Sequence, residues 1–570
     1  LYAERYDESI AALEKALEVT HDPNYQEPQL GLYLQFADVY TNAGRLIEAI
    51  DYLARALAIA QETEAVGRQM QIHGCLAEVC QRIGRTEEAK THYEETIRII
   101  ERTFYGLEEE ALQEAFFPHV RQVYVEFFRF LLGLGELDDT LWLAERCRAR
   151  TYAGRVADIG GSYLDLLPEA GIRSGVFQAE AIENDAKQVV LELPTNVAAI
   201  EYFVMPERTL VWAATGGTVH GPYIIPISSA DLRNRVIEFR GAIERTDTDL
   251  VGLPDEMLLG MAAELHVLLI GPISSYLSDV DHLVIVPSGS LYYLPFAALL
   301  ECPGCRGVEL LGGAYLAERY TLSYGPSLAT LHHAWSLPRT EETNYGLLAF
   351  ADPATGDPSL LRLPEAQEEA RAIAALFDQS EIHVAELASE DVLRQSVAGA
   401  RFLLISTHGV FDPANPMYSY LLFSPTSTSD GRLHTYEVFE LPLQADLVTL
   451  SACETLLPAL EETKEEVRAA RGLSSDTPVE LTVEQLDDLV TGDDIVGLTR
   501  AFIYAGSSSV LSTLWRVVSE PTEALMVTFY GYLQQGFDKA QALRQAQLDV
   551  MASYPHPRYW AAFELVGDWR

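Results

Sequence analysis

The chain has 570 residues, 48% of them hydrophobic and 22% charged, and a formal net charge of −44. That length calls for about three domains, since single cores stop growing beyond roughly 250–300 residues, and the acidic balance argues against a phosphate-backbone ligand, which requires clustered Lys and Arg. No apolar run reaches the ~20 residues of a membrane helix, Leu1-Tyr2-Ala3-Glu4-Arg5 lacks a signal-peptide layout, and six cysteines at irregular spacing make no disulfide framework. The expected setting is cytoplasmic and reducing, away from any membrane, where a free thiol survives.

Residues 1–155 read as helical repeats. Ala37-Asp38-Val39-Tyr40-Thr41-Asn42-Ala43-Gly44-Arg45 returns forty residues later as Ala77-Glu78-Val79-Cys80-Gln81-Arg82-Ile83-Gly84-Arg85, and a looser unit follows around Gly135. Gly between two amphipathic helices, with Ala at contact positions, resembles the tetratricopeptide pattern, with helices or loops longer than its usual ~34-residue period allows. Arg5, Ala16 and Leu17 fall under Arg45, Ala56 and Leu57, so Leu1 is expected to lie inside a repeat with further helices upstream. Such solenoids present a concave face to peptides or partner domains. A helical linker is expected over 156–196.

From Val197 the period changes. Val197–Val204, Thr209–Thr215 and Tyr223–Ile227 read as strands separated by turns at Pro206-Glu207 and Gly216-Gly217, and His282–Pro287 as a buried strand. Residues 197–344 are assigned to this sheet domain, which has no His and Cys paired at strand ends. Residues 345–570 alternate strand and helix: a strand at Tyr345–Ala351, a helix after Pro364, a helix capped by Ser389, strands at Phe402–Thr407 and Leu447–Ala452, a helix over Asp494–Tyr504, a strand at Ser508–Leu514 and a helix near Pro521. That βαβ order predicts a parallel sheet.

Two of those strands end on reactive side chains, His408-Gly409 and Cys453-Glu454. Ligands and chemistry gather beyond the carboxyl ends of parallel strands, so His408 and Cys453 are expected to face one crevice. An imidazole that takes the proton of a thiol creates a thiolate nucleophile and can then protonate the leaving amine. Acyl transfer also requires oxyanion donors, and the backbone N–H groups of Gly409 and Cys453 are the natural pair.

The same residues carry a resemblance to a known family. Ser406-Thr407-His408-Gly409 followed by Ser419-Tyr420-Leu421, then Leu450-Ser451-Ala452-Cys453-Glu454-Thr455, resembles the CHAT domain, as do Val286-Pro287-Ser288-Gly289, Gly497-Leu498-Thr499-Arg500-Ala501-Phe502, Ser512-Thr513-Leu514-Trp515 and Tyr559-Trp560-Ala561-Ala562-Phe563. The resemblance runs from about Val197 to the C-terminus. It implies an α plus α/β chain: a tetratricopeptide-like α-solenoid, then a caspase-like and separase-like region in which a pseudo-caspase half packs on an active half with His408 and Cys453 as the dyad. It implies a cysteine endopeptidase that needs no cofactor and cuts a specific protein substrate. Relatives act in bacterial defence, on a gasdermin or under a CRISPR effector, so a protein or ribonucleoprotein activator is expected on the repeats.

The chain departs from the family over Pro458–Asp494, a long acidic segment containing Glu461-Glu462, Glu465-Glu466 and Asp487-Asp488. It reads either as a solvated excursion or as a loop that must reorder before substrate enters, and the second reading predicts an isolated protein with little activity. Asp352, Asp412 and Glu454 are the candidates for a pocket that favours Lys or Arg before the scissile bond, with solvated loop acids as the alternative. Cys302-Pro303-Gly304-Cys305 with His332-His333 has half the spacing of a zinc site, and no metal is assigned to it. The competing overall reading is a silent tetratricopeptide scaffold with a caspase-like fold. A serine hydrolase is disfavoured, since no G-x-S-x-G elbow is present.

Overall fold

The computed structural model describes residues 2–19, 26–104, 110–138, 140–157, 179–244, 256–302, 312–337, 344–356, 360–410, 418–451, 493–515, 517 and 519–570. They form two compact units, Leu1–Leu143 with Ala153–Asp165, and Ala144–Tyr152 with Leu166–Arg570.

The first unit is helical: α1 (Tyr2–Val19), α2 (Gln26–Asn42), α3 (Leu46–Glu62), α4 (Val66–Arg82), α5 (Thr86–Phe104) and α6 (Glu110–Leu134), after which the chain enters α7 (Thr140–Ala157). The helices α2 to α5 begin at 26, 46, 66 and 86, one every twenty residues, so a helix pair takes forty. Helices of 17 residues account for the long period. The turns are tight because Gly44 and Gly84 take φ of 74° and 77°, which lets Arg45 N and Arg85 N donate back to Tyr40 O and Cys80 O at 2.9 Å and satisfy the helix ends. The turn between α3 and α4 makes the same bond, Ala65 N to Ala60 O at 2.9 Å, with Glu64 at φ 53° in the glycine position. Ala49, Ala56, Ala60 and Ala77 are fully buried; their small side chains allow close helix approach, and Phe36 stacks on Tyr52 at 4.4 Å in the space that remains.

The second unit is built on one eleven-stranded sheet. In chain order the strands are β1 (Val197–Val204), β2 (Thr209–Thr215), β3 (Thr218–Ile225), β4 (His282–Val286), β5 (Leu300–Glu301), β6 (Ala314–Tyr315), β7 (Thr321–Tyr324), β8 (Tyr345–Pro353), β9 (Ser380–Ala385), β10 (Ala400–Ser406), β11 (Gly409–Val410), β12 (Tyr420–Leu422), β13 (Arg432–His434), β14 (Leu447–Leu450), β15 (Ser509–Thr513) and β16 (Phe563–Gly567). Across the large sheet the order is β3-β2-β1-β4-β7-β16-β15-β14-β10-β8-β9, while β11-β12-β13 make a small sheet of their own.

Direction divides the large sheet. The strands β1, β4, β7 and β16 run parallel, as do β15, β14, β10, β8 and β9. The two sets meet at β15 and β16, which are antiparallel. The carboxyl ends of the two half-sheets therefore lie on opposite edges. The last strand, β16, runs parallel to β7 of the first half and antiparallel to β15 of the second, so the chain returns after the second half to join the two. Arg240, fully buried, joins the halves by donating to Leu514 O at 2.5 Å beside Trp515. Every residue of β4 and β14 is buried, as expected of strands covered on both faces.

The helix Ala179–Glu192, which falls in the expected linker, packs on the helix Leu328–Ser336. That second helix starts at a buried acid: Glu145 accepts from Leu328 N and Ala329 N at 3.0 Å, where helix N-termini carry unpaired donors. Arg148, 3.7 Å from Glu145, bonds Glu201 of β1 at 2.6 Å. All three side chains are buried, so the ionic groups compensate one another out of water. No helix among the described residues is long and apolar enough to cross a membrane.

Candidate active site

The strand β10 delivers His408. Its residues Leu403, Leu404 and Ile405 are buried, which anchors the strand and leaves its carboxyl end at the rim. Thr407 turns the chain out by donating its Oγ1 to Leu422 O at 2.6 Å, and Leu422 N donates to His408 O at 2.9 Å. The backbone of His408 is thus held on the small sheet while its half-buried ring projects from the large one.

The ring nitrogen Nε2 lies 2.8 Å from Leu361 O. A carbonyl only accepts, so Nε2 carries the proton and Nδ1 keeps its lone pair. In the neutral ring this contact favours the tautomer that leaves Nδ1 as an acceptor. Gly409 pairs with Leu421 in the antiparallel ladder of β11 and β12, next to the hydrogen-bonded pair of His408 and Leu422. Alternation along such a ladder turns the Gly409 N–H away from β12.

Beside β10 lies β14, with Phe402 opposite Leu447 and Ile405 opposite Leu450, and the last described bond, Ser451 N to Ile405 O, is 2.9 Å. Partner numbers differ by 45 along this ladder, which is also the interval from 408 to 453. Cys453, Asp412 and Glu454 lie outside the described residues, as does almost all of the acidic segment Pro458–Asp494.

Asp352 ends β8, the neighbour of β10 on the other side. The ladder to β9 slips there, Ala351 pairing with Val384 and Pro353 with Ala385, and Asp352 takes φ 46°. The bulge turns its side chain inward, where it is 2% exposed. Burial pushes the carboxyl up, but hydrogen bonds from Arg362, the Leu363 N–H and Gln367 outweigh it and hold Asp352 below the usual carboxylate range.

Sequence reasoning missed Glu369. It lies on the helix Pro364–Ala374, which packs on β8, and its carboxyl is buried near Ser451 at the exit of β14, with Oε1 lacking a hydrogen-bond partner among the described residues. Burial pushes it up to about 7, with the Ser451 side chain pulling down and nearby Glu523 adding to the rise. One Glu in an acidic helix gives no sequence signal that it faces inward; its spacing of three and four from Ala366 and Ile373 was the available clue.

Of the cysteine–histidine motif, Cys302 is disulfide-bonded, His332 pairs with Asp185 at 3.0 Å, and burial lowers His333 to about 4; Cys305 lies outside the described residues. Several motif residues are packing elements. Arg500 donates to Pro326 O at 3.1 Å, and Trp560 is fully buried.

Helical repeats followed by an α/β region with one large mixed sheet and an imidazole at a parallel-strand rim define the class. The chain belongs to the CHAT domain family, whose model matches residues 260–568; a tetratricopeptide-repeat model matches residues 28–102. Among curated proteins it is similar to tetratricopeptide repeat protein 28 of Homo sapiens, 29% identical over 308 residues, which is 50% of this chain and 12% of that protein. The Mus musculus protein of the same name is 28% identical over 309 residues, again 50% and 12%. This chain thus spans about an eighth of the length of those relatives. Among solved structures, the Saccharomyces cerevisiae separase–securin complex gives a TM-score of 0.42 at 10% identity, over 95% of this chain and 53% of that one. The Arg-specific cysteine proteinase gingipain R gives 0.31 at 10%, over 60% and 74%. Likeness at that level carries no argument about this chain.

Proposed function

We propose that the chain is a regulated cysteine endopeptidase with Cys453 as nucleophile and His408 as base. The observation that carries this is the pairing of β10 with β14: the described ends of both strands reach one rim, and the ladder's constant interval is the interval between His408 and Cys453. The thiol gives its proton to His408 Nδ1, and the sulfur attacks the peptide carbonyl. The oxyanion is received by the N–H groups of Gly409 and Cys453, the imidazolium protonates the leaving amine, and water releases the acyl group. The residues of this mechanism require no cofactor.

The substrate in this reading is a specific partner protein, and the repeats bind it or an activating protein or ribonucleoprotein. Support for a bacterial defence setting is the motif resemblance. The isolated chain has little activity until a partner reorders the acidic segment after Cys453. The first half-sheet is the pseudo-caspase half, which supports the second without chemistry.

The test is co-incubation of the full chain with proteins encoded beside its gene, comparing wild type with Cys453→Ala. A cut that disappears in the variant supports the reading. A cut that persists in Cys453→Ala overturns it, as does failure of a thiol-directed peptide electrophile to label Cys453 under any of these conditions, the result that a silent scaffold gives.

A further inference from the structure

The acid at the end of β8 has no capacity left for a substrate. Arg362 grips it as a fork, Nε to Oδ1 at 2.8 Å and Nη2 to Oδ2 at 2.7 Å. Leu363 N donates to Oδ1 at 2.6 Å and Gln367 Nε2 to Oδ2 at 2.6 Å. Arg362 Nη2 also reaches the Asp352 carbonyl at 3.2 Å. A bidentate guanidinium with two further donors fixes position as well as charge, and Asp352 holds a φ that a non-glycine residue adopts only where its surroundings enforce it.

What these bonds hold in place is the backbone of 361–363, and Leu361 O is the acceptor of His408 Nε2. We infer that Asp352 is a positioning residue: by clamping Arg362, Leu363 and Gln367 it presents the Leu361 carbonyl to His408 and so sets the tautomer and orientation of the base. This rests on the peptidase reading and adds to it a carboxylate that acts on the imidazole through a carbonyl rather than by contact. It also takes Asp352 out of the substrate pocket, because a basic substrate residue would have to displace the chain's own arginine.

The Cys453 thiol reports on its base without any need to know the substrate. Wild type, Asp352→Asn, Arg362→Gln, Arg362→Lys and His408→Ala, each as the full chain, are treated with iodoacetamide between about pH 5 and 9, across the ordinary thiol pKa of ~8.5. Carboxamidomethylation of the Cys453 peptide is followed by mass spectrometry, with a thermal melt to show that each variant is folded. Wild type is expected to react below pH 7 at least about tenfold faster than His408→Ala, since the paired imidazole populates the thiolate there. Asp352→Asn and Arg362→Gln are expected to lose most of that excess while Arg362→Lys regains part of it. Arg362 is half exposed, so its variants decide the question even if Asp352→Asn fails to fold. Retention of the full wild-type profile in folded Arg362→Gln overturns the positioning role and leaves the peptidase reading standing. A wild-type profile no faster than His408→Ala overturns both. A pocket role for Asp352 gives a third result, unchanged iodoacetamide kinetics with slower labelling only by an arginyl electrophile, which also overturns the positioning role.

Discussion

The buried carboxyl of Glu369 lies near the side chain of Ser451, two positions before Cys453, and its Oε1 has no hydrogen-bond partner among the described residues. Its folded-state value of about 7 stands above the usual 4.5 because burial penalises the charge, so the folded chain holds this proton more tightly than the unfolded one. Stability from this group is complete below about pH 4.5 and is lost as pH rises through about 7. Above that range the buried charge costs about 3 kcal/mol. Glu369→Gln is expected to melt above wild type at pH 8 and close to it at pH 5. Equal melting differences at both pH values would show that Glu369 is not the titrating group.

Arg148 lies between two buried acids, and truncating it strips Glu201 of its 2.6 Å guanidinium partner while Glu145 keeps its bonds from Leu328 N and Ala329 N. Arg148→Met is expected to lower stability by about 3–5 kcal/mol, read from a urea or thermal melt of the full chain. Adding Glu201→Gln should restore part of the loss by removing one orphaned charge; no recovery would mean that Arg148 contributes packing alone.

Two glycine substitutions should differ sharply. At Gly506, φ is 116° and an added Cβ would sit 2.0 Å from Leu443 O, so Gly506→Ala must push apart two backbones and is expected to cost at least about 3 kcal/mol. At Gly84, φ is 77° and the space is open, so Gly84→Ala pays only for the left-handed backbone, about 1 kcal/mol. Comparable melts for the two variants would show that the close approach at Gly506 relaxes cheaply.

His408→Ala is expected to reduce cleavage of whatever substrate the co-incubation identifies by about 10²–10⁴-fold, the range for loss of a general acid–base group. The matching measurement is single-turnover cleavage with the activator present, and an unaltered rate would exclude His408 as the base.

Much of the fold can be read from the residues. Val197–Val204 and Thr209–Thr215 are strands with the expected ends, Ser389 caps its helix by accepting from Val392 N, and the forty-residue period is two 17-residue helices with their turns. Strand direction is what composition leaves open: Phe563–Gly567 is short and buried wherever it pairs, and only the tertiary structure sets it parallel to β7 and antiparallel to β15. At the site, the residue types were legible and the partners were not. Asp352 stands out as an acid after a buried strand, but its bond to Arg362 depends on how the intervening turn folds back. Gly409 was readable as a point of backbone freedom; the direction of its N–H follows from a ladder with Leu421 that no local pattern announces.

Because β15 and β16 run antiparallel, the carboxyl rims of the two half-sheets face away from each other. The end of β4 and His408 therefore lie at opposite edges of one continuous sheet. The backbone hydrogen bonds between β15 and β16 are where one half-sheet passes into the other.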